Sequence, residues 1–171
     1  MTARHFIKYL QLLSHPEGGY YKESYRSSGI LPASCLPGFG SDRSFSTAIY
    51  FLLEKGDFSA FHRIKSDECW HFYEGGTLLI HVLQQNGKYV CKRLGKNLED
   101  GEAFQYVVPA GAWFASEPAV GTSFALVGCT VAPGFDFADF EMAKKGNLVQ
   151  EFPEHTPLVN RLCRTLNAGA K

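Results

Sequence analysis

Apolar residues recur at helical spacing near the start of the chain. Phe6, Ile7, Leu10 and Leu13 share one face of residues 3–14, which predicts an amphipathic helix closed by Pro16 and Gly18-Gly19. Tyr20 to Ser27 alternates as a strand does, and the Gly-, Pro- and Ser-rich stretch 30–42 predicts a long loop. Short apolar runs then follow at 44–54, 58–65, 68–74, 77–84, 88–94, 104–108, 112–116 and 122–132, each read as a strand. Gly56, Gly75-Gly76, Asn86-Gly87 and Asp100-Gly101 punctuate them, and Asn86-Gly87 predicts a type I′ hairpin turn. Residues 136–141 read as a last strand or a segment across the barrel, 148–152 and 157–166 as short helices, and 167–171 as a frayed tail. This pattern predicts one all-β domain over residues 1–171, a sandwich or barrel with helices at both ends and its core at about 44–141.

Composition narrows the classes. Seventeen Lys and Arg balance seventeen Asp and Glu, and no basic run occurs, which argues against nucleic acid. The five cysteines form no Cys-x2-Cys pair and read as buried free thiols of a reducing compartment. Lys8 and Gln11 interrupt the first apolar stretch, so it does not read as a secretory signal. No apolar run approaches the ~20 residues of a membrane helix. The expectation is therefore a cytoplasmic protein with no membrane partner.

One spacing carries chemistry. Gly56-x5-His62-x-Ile64-x3-Glu68-x6-Gly75 resembles the first motif of the cupin family, Gly-x5-His-x-His-x3 or 4-Glu-x6-Gly, with Ile64 in place of the second histidine. Pro109-x-Gly111-x2-Phe114 resembles the second motif, with Phe114 in place of the third histidine and Pro118 in place of the Asn. The segments His15-Pro16-Glu17-Gly18-Gly19-Tyr20, Ser46 to Leu53, His62 to Gly75, Val108 to Trp113 and Val131 to Phe137 are similar to the fifth cupin family, a cupin-like domain of unknown function. The resemblance implies the cupin double-stranded β-helix, a jelly-roll barrel. It also implies a likeness in fold to sugar-nucleotide epimerases of the dTDP-4-dehydrorhamnose 3,5-epimerase type. With two of three metal histidines replaced by apolar groups, neither a metal nor another cofactor is expected.

His62 is the foremost candidate, a barrel-facing imidazole suited to general-base work. Glu68 falls on the same face and is expected to orient His62, to bind a ligand hydroxyl, or to pair with Arg63. His71 and Tyr73 have the opposite parity in a regular strand, and reach the pocket only through a bulge. Tyr73 or Tyr50 would return a proton. Trp70, Phe72, Trp113 and Phe114 are candidate ligand-facing aromatics, and Arg43 and Ser46 candidate polar contacts. Arg63 and Asp67 are expected to pair across their turn, and Tyr25 and Arg26 to complete a neighbouring pocket in a dimer.

The function these residues suggest is metal-independent epimerisation or isomerisation of a sugar or nucleotide-sugar, by a homodimer. Three alternatives remain. One is a non-catalytic carbohydrate-binding protein. Another is a metal-dependent cupin using His62, Glu68 and His71. The last is an interaction protein whose aromatic barrel face is its interface.

Overall fold

The computed structural model describes residues 1–164. The expected frayed tail and the last two residues of the expected 157–166 helix lie outside the described residues. Helix α1 (Ala3–Leu10) starts where the Thr2 hydroxyl accepts from the His5 amide. It ends at Gln11, which takes a left-handed conformation with φ 57°. The helix is shorter than its periodicity predicts because Leu13 and Ser14 leave it to form strand β1 (Leu13–Ser14).

The strands follow as β2 (Tyr20–Arg26), β3 (Ile30–Leu31), β4 (Arg43–Ser44), β5 (Thr47–Glu54), β6 (Ser59–Arg63) and β7 (Asp67–Gly75). Then come β8 (Leu78–Leu83), β9 (Tyr89–Leu94), β10 (Gln105–Val108), β11 (Trp113–Pro118), β12 (Phe124–Ala132) and β13 (Glu141–Met142). Helices α2 (Lys145–Glu151) and α3 (Thr156–Leu162) close the described chain. One six-stranded antiparallel sheet runs β1-β2-β5-β12-β7-β10, and a five-stranded one runs β13-β6-β11-β8-β9. The small β3–β4 ribbon interrupts the predicted loop and splits the predicted 44–54 strand.

Alternation along the strands sorts side chains into three layers. Phe51, Leu53, Trp70, Phe72, Ile80, Val82, Phe114 and Val127 point between the two sheets and form the main core. On the far side of the five-stranded sheet, Phe61, Leu83 and Trp113 pack against Leu148, Val159 and Leu162 of α2 and α3. On the far side of the six-stranded sheet, Leu52 and Leu126 take the apolar face of α1. The β8–β9 hairpin differs from the predicted type I′ turn. Gly87 alone is left-handed, at φ 82°, and Gln84 bonds Lys88 around a three-residue loop, so Asn86 escapes the strained conformation that a two-residue turn requires.

The thiols also divide: Cys129 and Cys163 are buried, Cys69 is half-buried, and Cys35 and Cys91 are exposed, contrary to a uniformly buried set. Cys91 lies in the middle of the edge strand β9, where it, Lys92 and Arg93 are all exposed. No helix of the described residues is long and apolar enough to cross a membrane.

Candidate functional site

A cavity of about 300 Å³ opens between the sheets at one end of the barrel. Its floor is titratable: Glu17 and His15 from the loop before β2, His62 from β6 and Glu68 from β7. Its walls are Tyr21 on β2, Ile49 on β5, Ile64, Cys129 and Val131 on β12, and the aromatics Phe135, Phe137 and Phe140 that follow β12. Glu23, Arg26 and Asp136 stand at the mouth. A register shift between Glu23 and Tyr25 in β2 breaks the alternation, so Arg26 joins Tyr21 and Glu23 on the pocket side and Tyr25 turns outward.

His62 is held at both ring nitrogens. Its Nδ1–H donates to the Ala60 carbonyl at 2.7 Å, and its Nε2 lies 3.0 Å from Glu17 Oε2. A carbonyl can only accept, so Nδ1 carries a proton, and an Nε2 facing a carboxylate carries the second. Burial alone would push this imidazole down. The Glu17 carboxylate outweighs that, and with Glu68 and the Ala60 carbonyl holds His62 above the ordinary histidine value. Burial likewise pushes Glu17 up, yet His62 holds it below the usual carboxylate range. The two form a buried ion pair.

Glu68 is in the opposite condition. It is 8% exposed, and among the described residues it forms no salt bridge. Burial, reinforced by the charge of Glu17, pushes its carboxyl up to about 7, although His62 and the neighbouring Cys129 thiol draw it back. His15 is neutral. The Glu17 amide donates to its Nδ1 at 3.2 Å, and burial lowers its pKa.

Glycine geometry carries this loop into the barrel. Gly18 has φ 115°, and a Cβ there would stand 2.1 Å from the Phe58 carbonyl oxygen. The Ala60 amide donates to the Glu17 carbonyl at 2.8 Å, which locks the loop onto the strand that bears His62.

Of the residues singled out from the sequence, His62 and Glu68 line this cavity together. Phe114 is the cross-strand partner of His62 on β11, with ring centroids 4.0 Å apart, and is buried behind it. Trp70 and Phe72 share the inward face with Glu68 but belong to the core beneath the cavity. Trp113 has the other parity and lies under the C-terminal helices, with the Arg63 guanidinium 4.3 Å above its ring.

His71 faces outward because β7 keeps its register with β12 from Asp67 to Phe72, and the register shift that follows leaves Tyr73 as the extra, outward residue. His71 Nε2 meets the Thr130 hydroxyl at 3.0 Å and its Nδ1 accepts from the Gln105 amide at 2.8 Å. Tyr73, 47% exposed, lies over Gly128 and against Tyr50. Tyr50, Tyr73 and His71 therefore do not line the cavity that holds His62 and Glu68.

Arg43 is buried in a bidentate pair with Asp139 at 2.6 and 2.8 Å, away from the cavity, and Ser46 offers its carbonyl to the Ser27 amide. Arg63 pairs with Glu141 at 2.7 Å, not with Asp67 or Glu68, because β13 lies beside β6. Asp67 instead accepts from the Ala110 amide at 2.8 Å. Arg26 lines the cavity of its own chain. Glu17 and His15 went without a role in the sequence. The signal was there: a histidine and a glutamate just before two adjacent glycines in a segment otherwise headed for a strand.

The donor set does not suit a metal of the cupin kind. Ile64 lines the cavity where the second imidazole would stand, and Phe114 fills the third position. Both His62 nitrogens are committed, and among the described residues no three His, Cys, Asp or Glu side chains converge in a metal-binding arrangement.

Two facing antiparallel sheets that enclose a polar pocket at one end define a cupin-type jelly-roll barrel. The chain belongs to the Cupin superfamily (DUF985), whose model matches residues 4–143. It is 31% identical to the uncharacterized protein YML079W of Saccharomyces cerevisiae over 84% of this chain and 76% of that protein. Two solved structures share its fold closely. A hypothetical protein from Leishmania major is 36% identical, with a TM-score of 0.88 over 96% of this chain and all 100% of that one. Protein SO0799 from Shewanella oneidensis is 40% identical, with a TM-score of 0.87 over 96% of this chain and 98% of that one.

Proposed function

We propose that this protein is an isomerase that moves a proton between neighbouring carbons of a small carbohydrate-like carbonyl compound. The observation that carries this reading is Glu68, a buried carboxyl held at about 7 in an aromatic cavity. A group with that pKa both takes and returns a proton near neutral pH. His62 does not take the proton, since both of its nitrogens are engaged. Its positive charge stabilises an enolate that forms beside it. One acid–base group on one face of the substrate suffices for a 1,2-shift. Epimerisation needs a second group on the opposite face, and Tyr50 and Tyr73 are not in the cavity. A sugar isomerisation therefore suits the site better than a nucleotide-sugar epimerisation.

The test is deuterium exchange. Aldoses, ketoses, amino sugars and nucleotide-sugars are incubated with the protein in heavy water, and the carbon-bound protons next to the carbonyl are followed by NMR. Wild-type exchange lost in Glu68→Gln is expected. No exchange with any member of the panel would favour the non-catalytic binding protein, a reading supported by the committed state of both His62 nitrogens. The homodimer is proposed on the outer face of the six-stranded sheet, where Tyr25 and Tyr73 are 55% and 47% exposed. Sedimentation equilibrium tests it.

A further inference from the structure

We propose that the cavity recognises an organic ammonium group, so that its ligand is a small cationic amine and not a phosphate- or nucleotide-bearing molecule. This rests on reading the cavity as a small-molecule site, but not on any proton transfer within it.

The walls supply the first argument. Phe135, Phe137 and Phe140 lie with centroids 5.1–6.4 Å apart and ring planes at 70–80° to one another. Three rings so inclined make a corner rather than a stack. His62 already packs against Phe140 with centroids 5.2 Å apart, and His15 stacks on Phe137 at 6.4 Å, so this corner borders an imidazolium in the resting protein; rings set around a corner are also how quaternary ammonium ions are bound by aromatic cages. A phosphate would meet the same faces with repulsion.

The charges supply the second. Each cation of the cavity already has its own carboxylate. His62 has Glu17 at 3.0 Å, and Arg26 has Glu23 at 2.6 Å. His15 is neutral, because its Nδ1 accepts from an amide. One carboxyl group is then left over, Glu68 inside the cavity, while Asp136 at the mouth shares Arg26 with Glu23 and accepts from the Ala138 amide at 2.8 Å. Among the described residues no lysine lines the cavity. Glu68 is more than nine-tenths buried, borders the cavity and forms no salt bridge with a described residue. A buried carboxyl in that state is satisfied by a ligand that brings the missing positive charge.

The test uses the full-length protein and titration calorimetry with defined probes. Choline and glucosamine are the cations. 3,3-Dimethylbutan-1-ol and glucose are their uncharged counterparts, and glucose 6-phosphate and UDP-glucose are the anions. Each cation should bind about tenfold more tightly than its uncharged counterpart, and the anions should not bind. Glu68→Gln should remove that preference while leaving the affinity for the neutral probe unchanged. Phe137→Ala, at a side chain 54% exposed and so dispensable for folding, should weaken choline binding with an unchanged melting temperature. Equal binding of charged and neutral probes would overturn the proposal. So would preferential binding of either anion, or no binding of either cation up to tens of millimolar. The outcome is separable from that of the isomerase reading: cation binding without deuterium exchange sinks only the catalysis, and exchange on a neutral sugar without cation preference sinks only the ammonium site.

Discussion

Glu17 Oε2 stands 3.0 Å from His62 Nε2, and both side chains are less than a tenth exposed. This contact fixes the chemistry of the site, because it turns the one motif histidine from a base into a buried cation. It also ties the loop before β2 to the barrel interior.

Breaking that pair from one side strands a charge. Glu17→Gln should cost about 3–5 kcal/mol, the usual consequence of removing one partner of a buried ion pair. His62→Ala should be similarly costly, since it leaves the Glu17 carboxylate alone. The double variant should lose clearly less than the sum, and urea denaturation of the four proteins measures the coupling. Additive losses would mean that the pair contributes nothing.

The pH dependence of the pair follows from the two directions. Raised His62 gives stability that is full below its unfolded value of 6.5 and is lost as pH rises through its folded value. Depressed Glu17 gives stability that is present above 4.5 and is lost as pH falls through its folded value. The pair therefore contributes most between about 4.5 and 6.5.

Glu68 acts with the opposite sign. Its folded pKa of about 7 exceeds the ordinary glutamate value of 4.5, so between those values the native state holds a proton that the unfolded state has released. Stability then falls as pH rises, by ~3 kcal/mol across the window for a shift of this size. Glu68→Gln removes the penalty. It should melt higher than wild type at pH 8 and close to it at pH 4, as differential scanning calorimetry would show. A variant that melts lower at pH 8 would mean that Glu68 is a structural ion-pair member.

The sequence made some of this legible and hid the rest for physical reasons. The positions of most strands, and His62 with Glu68 on one face, follow from local alternation and spacing, which a period of two preserves through short strands. Alternation also sets the outward placement of His71. Glu17 was hidden because its loop reaches the barrel through a left-handed Gly18 and a long-range bond to the Ala60 amide, neither of which leaves a periodic trace. Phe135, Phe137 and Phe140 were hidden because they follow the last long strand, where no period assigns a face. Arg43 misled for another reason: its partner Asp139 is ninety-six residues away.

Arg43 offers a separate test of structure against binding. Its guanidinium donates twice to Asp139 and also to Ser41 and the Asp42 carbonyl. That hydrogen bond and charge hold the Asp139 carboxyl below the usual range against its burial. Arg43→Lys cannot reproduce a two-pronged bond, and should lose about 2–3 kcal/mol of stability. Probe affinity in the cavity should be unchanged wherever the variant is folded. An unaltered melting curve with lost binding would return Arg43 to the ligand.

The last prediction concerns the metal that the barrel motif implies. Restoring the motif with Ile64→His puts a second imidazole in the cavity, yet it should not create a tight site. His62 has no free lone pair, because Ala60 and Glu17 engage both nitrogens. A divalent ion would have to displace the Nε2 proton and compete with an ion pair already in place. Adding Glu17→Gln frees that nitrogen, so the double variant should bind zinc or manganese far more tightly than Ile64→His alone. Elemental analysis after dialysis, with calorimetric titration of each ion, compares the wild type and both variants. Stoichiometric metal in the wild type would show that a ligand set other than the motif's is in use. Tight binding by Ile64→His alone would show that the pair with Glu17 is weaker than its geometry indicates.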